Sequence, residues 1–98
     1  MFTGLGFKPL GYERVTTLSA AKGLTVPSGA QLAIITVNAQ SVRFRDDGVD
    51  PDAATGVLLP VTTAGLPFEY SGALGKIKFF ETQASATLDV LYYRRGGE

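Results

Sequence analysis

Residues 86–93 read Ala-Thr-Leu-Asp-Val-Leu-Tyr-Tyr, and the period of this stretch decides the fold class. Successive side chains of an extended strand point to opposite faces, so Ala86, Leu88, Val90 and Tyr92 share one face and Thr87, Asp89, Leu91 and Tyr93 the other. The first face is wholly apolar and is expected to point into a core. The second is only partly polar. The same period of two recurs upstream: Val42 and Phe44 alternate with Arg43 and Arg45, and Ile77 and Phe79 with Lys76 and Lys78. Both runs therefore read as half-buried strands with apolar core members and solvated basic outer faces. Residues 32–37, LAIITV, are apolar on both faces except at Thr36. That suits a central strand covered on both sides, by an opposite sheet or by another subunit.

Runs rich in Val, Ile, Thr, Phe and Tyr are separated throughout by Gly, Pro, Asn, Asp and Ser clusters, and no segment carries a helical stripe. Strands are expected near Tyr12–Leu18, Gln31–Ala39, Ser41–Asp46, Gly56–Val61, Pro67–Tyr70, Lys76–Thr82 and Ala86–Arg94. Strands this short and this closely spaced make an all-β sandwich or barrel. With 98 residues the chain has room for one core and one domain. Residues 12–95 are read as that domain, an antiparallel β-sandwich of about seven to eight short strands. Residues 96–98 are read as a flexible tail.

The opening, residues 1–11, reads MFTGLGFKPLG. Its apolar side chains sit on a Gly- and Pro-containing backbone that follows neither period. It is expected to be an arm whose Phe2, Leu5, Phe7 and Leu10 lie on the domain or on a neighbour. Full burial of each such side chain is worth about 1.5–3 kcal/mol. The segment Asp46–Gly56, DDGVDPDAATG, carries turn-forming residues in order and is expected to be an exposed loop.

Several function classes are disfavoured. Nine basic and nine acidic residues give zero formal charge, without the basic excess that drives phosphate binding, so nucleic acid is not an expected partner. The chain has no Cys and no His. It therefore lacks thiolate metal ligands and the commonest general base. Asp46, Asp47, Asp50 and Asp52 offer hard oxygen ligands, but two adjacent acids before Gly48 and an interrupting Pro51 do not follow the spacing of a calcium loop, and a solvated turn is the better reading. Glu69, Glu81 and Asp89 read as isolated strand acids rather than as a catalytic pair. No catalytic residue, metal site or cofactor is assigned. The opening shows no signal-peptide pattern and no run approaches the ~18 apolar residues that cross a bilayer. A soluble chain made in the cytoplasm, without a membrane partner, is expected.

A near-zero net charge with 45% hydrophobic residues favours association. The interface candidates are the arm residues Phe2, Leu5, Phe7 and Leu10, the charged set Arg43, Arg45, Asp46 and Asp47, and Tyr93 with Arg94, which are residue types enriched where proteins meet.

Ser41–Pro51 reads SVRFRDDGVDP. Together with Phe68-Glu69-Tyr70 before a Gly turn and the closing stretch from Ala86 to Arg94, it resembles small virion proteins of tailed bacteriophages and prophages. The resemblance spans about Tyr12 to Arg94. It implies a jelly-roll-like sandwich located on the virion, made in the host bacterial cytoplasm. It further implies a decoration or cement role in which the major capsid protein and copies of the chain itself, as a dimer or trimer, are the partners. A tail or head-to-tail accessory protein is the alternative within that class. A carbohydrate-binding module, with Tyr12, Tyr70 or Tyr93 as stacking platforms, is the alternative outside it.

Overall fold

The computed structural model describes residues 7–63 and 66–95, which form two antiparallel four-stranded sheets and no helix. In chain order the strands are β1 (Phe7–Val15), β2 (Lys22–Gly23), β3 (Leu32–Asn38), β4 (Val42–Arg45), β5 (Val57–Leu59), β6 (Phe68–Tyr70), β7 (Lys78–Glu81) and β8 (Thr87–Arg95). One sheet has the order β1-β8-β3-β6 and the other β2-β7-β4-β5.

The four pairs β1 with β8, β2 with β7, β3 with β6 and β4 with β5 are those of one long hairpin, and each pair is antiparallel. Winding that hairpin about itself brings β8 beside β3 and β7 beside β4. The result is a jelly roll, an eight-stranded β-sandwich.

The core is filled as the alternation dictates. Leu88, Val90 and Tyr92 of β8, with Ala86 just before it, are buried with Val15, Ala33, Ile35 and Val37 of the same sheet and with Val42 and Phe79 of the opposite one and Ile77 just before β7. The Phe44 ring lies tilted against Phe68 and Phe79, with centroids 5.4 Å and 6.1 Å away, so an aromatic contact joins the sheets. β3 is interior to its sheet and buries Ala33, Ile35 and Val37 against the opposite sheet, whereas Ile34 and Thr36 on its other face are only half covered.

The beginning of the chain differs from the expected arm. Phe2 and Leu5 lie outside the described residues. Phe7–Gly11, however, belong to β1 and continue its pairing with β8 as far as Arg95. Two features hid this strand. Pro9 lacks a backbone donor, which a strand at the sheet edge tolerates, and the register shifts between Pro9 and Gly11. The shift makes Leu10 an extra residue in a bulge and breaks the period of two. Leu10 packs on the core. At its other end β1 stops at Val15, short of the expected Leu18, because Thr17 turns the backbone at φ 60°. Leu18 is fully buried all the same, and its carbonyl accepts from the Glu81 N–H at 2.9 Å. β2, two residues long, carries no readable period.

Glu13 also interrupts the apolar inner face of β1. Its Oε1 accepts the hydroxyl of buried Tyr92 and the Thr25 N–H at 2.8 Å, so one carboxylate ties β1 to β8 and to the segment leading into β3. Burial first, and the bond to Glu13 second, push the Tyr92 hydroxyl far above its ordinary pKa. A hydrogen bond to a charged partner is worth about 1.5–3 kcal/mol. Tyr92→Phe is therefore expected to lower stability by about that amount in urea unfolding without altering the sheet content seen by circular dichroism.

Candidate interaction surface

β4 places Arg43 and Arg45 on the outer side of its sheet, beside Phe80 and Lys78 of β7. These cations do not face open water alone, because the loop from Asp46 to Gly56 folds back over them. Arg43 donates from Nε to the Ala53 carbonyl at 3.1 Å and from Nη1 to the Gly56 carbonyl at 3.0 Å. Arg45 grips Asp47 with two parallel bonds, Nε to Oδ1 at 3.1 Å and Nη2 to Oδ2 at 2.6 Å. Lys78 reaches Asp50 at 3.1 Å.

The loop has its own internal order. Asp52 caps a tight turn by accepting the Ala54 N–H at 2.8 Å, and Pro51 is buried. Tyr70 of β6 donates its hydroxyl to Asp46 and accepts the Ala73 N–H at 2.8 Å, linking the loop to the other sheet. The exposed loop expected from sequence is thus exposed on one side only. Each acid has its own partner and they do not converge. Among the described residues no group of three or more carboxylates is placed to hold a metal ion. An open cleft of about 240 Å³, lined by Phe44, Arg45, Asp46, Asp47, Gly56 and Val57, separates the loop from β5.

The opposite face of the sandwich carries a second polar knot. Asp89 of β8 accepts bonds from the Tyr12 hydroxyl, from Arg14 at 2.9 and 3.2 Å, and from Asn38 at 2.8 Å. The Tyr12 bond, then Arg14, hold its carboxyl below the ordinary range. Beside the knot the register aligns Tyr12, Leu91 and Ile34 in one apolar row, of which Tyr12 and Leu91 are exposed.

Of the sequence candidates, Arg43, Arg45, Asp46 and Asp47 come together in one patch. Tyr93 and Arg94 lie on the other sheet, Tyr93 half-buried opposite Leu32 and Arg94 exposed opposite Lys8. Phe7 is half-buried in β1 beside them, paired with Arg95. The three tyrosines considered as sugar platforms do not share a surface: Tyr70 stacks on Phe68 at 6.0 Å on the core side, while Tyr12 and Tyr93 sit on the outer side of the sheet. Glu81 belongs to one sheet, and Glu69 and Asp89 lie on the other with β3 between them. The polar knot at Asp89 and the exposed side chains Val57, Leu58 and Leu66 went unread in the sequence. Only strand register brings the first together, and only the edge position of β5 exposes part of the second.

No protein-family model, curated protein or solved structure matches the chain.

Two expectations follow for the loop. The Arg45 bonds hold the Asp47 carboxyl at a pKa of about 2, below its ordinary 3.8. A depressed carboxyl stabilises the fold above its unfolded pKa, and that contribution fades as pH falls from about 4 through about 2. A carboxyl-detected NMR titration should place the Asp47 midpoint near the lower value, and Arg45→Gln should return it toward 3.8. Gly56 sits at φ 127°, where a Cβ would lie 3.0 Å from the Phe44 carbonyl oxygen. Gly56→Ala is expected to cost about 1–3 kcal/mol in denaturant unfolding, through backbone strain.

Proposed function

We propose that this chain is a structural protein of a tailed-phage virion. It acts as a decoration or cement protein that binds the outside of the major capsid protein shell and stabilises it. The reading rests on the resemblance carried by Ser41–Pro51, and one observation supports it above the others. The charged side chains of that segment are bonded within the chain, fixing the loop shape, while Tyr12 and Leu91 on one sheet and Leu58 on the other are exposed apolar side chains. Such a surface suits contact with other proteins, where apolar area with a polar rim supplies the adhesion. A sandwich of this kind strengthens a shell by mass action, since each bound copy stabilises only the assembled state. Weak single contacts suffice when many act together on one lattice.

Purified protein added to shells lacking it should co-sediment with assembled shells and not with free shell subunits, and it should raise the temperature at which those shells open. Failure to co-sediment, or shells that resist heat and low salt equally well without it, would remove the proposal. The copy number in purified particles separates the placements. A number comparable to the shell protein fits decoration, and a small fraction of it moves the chain to the tail or the head-to-tail junction.

A further inference from the structure

A β-sandwich has four sheet edges, and three of them here carry features that discourage strand addition. β1 has Pro9 and a bulge. β2 is two residues long and contains Lys22. β6 carries Glu69 at its centre. β5 differs. It ends its sheet, with no further strand beside it among the described residues. Its sequence is Val-Leu-Leu, and Val57 and Leu58 are 58% and 50% exposed. The connection that follows adds Val61 at 44% and Leu66 at 72% exposed. No charged residue occurs between Gly56 and Phe68.

We propose that the β5 edge joins two copies of this chain by antiparallel strand pairing about a two-fold axis centred on Leu58, so that the two four-stranded sheets become one. Three properties select a second copy as the occupant. An antiparallel strand edge is self-complementary in its donors and acceptors, which is what a two-fold contact between identical surfaces requires. A charge-free stretch can meet itself without setting like charges face to face, the arrangement that defeats most self-contacts. The same lack of charge offers nothing to an ionic ligand or to a phosphate backbone. Centring on Leu58 pairs the whole of β5, Leu58 with its own counterpart and Val57 with Leu59 of the second copy. The inference rests on reading the chain as an assembling subunit and names one of the contacts through which it assembles.

The absence of cysteine makes the test direct. Opposed residues of an antiparallel pair have Cα atoms about 4.5–5.5 Å apart, inside the range that a disulfide bridges. Leu58→Cys is expected to give a disulfide-linked dimer on mild oxidation, whereas Gln83→Cys, exposed in the turn before β8, should stay monomeric under the same conditions. Sedimentation velocity over a dilution series should show a dimer of the unmodified protein that Leu58→Lys weakens at least about tenfold. Thermal melts establish that the variants fold, and if Leu58→Lys does not, the cysteine pair decides.

A protein that is monomeric throughout the series, cross-linking at Leu58→Cys no faster than at Gln83→Cys, or a dimer untouched by Leu58→Lys would each overturn the inference. So would a monomer whose shell binding is lost in Leu58→Lys, because the edge would then belong to a shell strand. Monomers that still co-sediment with shells sink this inference and leave the proposed function standing. Dimers that ignore shells do the reverse.

Discussion

β8 is paired on both sides, to β1 from Leu88 to Arg95 and to β3 from Thr87 to Tyr93, and Leu88, Val90 and Tyr92 on its inner face are buried. Apolar burial of this kind is the dominant favourable contribution to folding, and here it fixes register as well as stability. A slip of one residue would turn Leu88, Val90 and Tyr92 to water and bring Thr87, Asp89 and Leu91 inside. Much else depends on that register. It sets Glu13 beneath the Tyr92 hydroxyl and Arg14 beside Asp89, and it requires the chain's beginning to pair with its end. Once β1 and β8 are joined, the pairs β2 with β7, β3 with β6 and β4 with β5 follow as the successive rungs of one coiled hairpin.

The second organising constraint is electrostatic. Arg43, Arg45 and Lys78 stand in a row on one outer face, and the loop after β4 returns carbonyls and carboxylates to them. The pairs are exposed, so each contributes little to stability in isolation. Their effect is conformational. A loop of several acids and two φ-positive glycines, Gly48 and Gly56, would sample many shapes, and bonds to a rigid strand select one. The same pairing leaves Val57 and Leu58, on the strand beside the loop, as exposed apolar side chains.

The class of the fold, its core residues and most of its strands were legible because they depend on local alternation. Ala86, Leu88, Val90, Tyr92, Val42, Ile77 and Phe79 are all buried, as a period of two requires when one face must leave water. What local pattern could not reveal was any feature made by pairing across the chain. The strand at Phe7–Val15 has a bulge and a proline that erase its period, and it exists because β8 offers a long edge to pair with. The two residues of β2 are a strand only because β7 lies beside them.

The candidate surface divides in the same way. The sequence by itself marked Arg43, Arg45, Asp46 and Asp47 as one unit, since residues so close along a strand and its turn stay close in any fold. It also assigned Leu32–Val37 to a central strand. Tertiary structure alone decided that Tyr93 and Arg94 lie on the other sheet, that the acidic loop is pinned by Arg43 and Tyr70, and that Val-Leu-Leu at 57–59 ends its sheet among the described residues rather than lying inside it. An apolar run has the same composition at an edge and in the middle of a sheet. Which it becomes is set by whether another strand takes the place beside it, and that is a property of the winding of the whole chain.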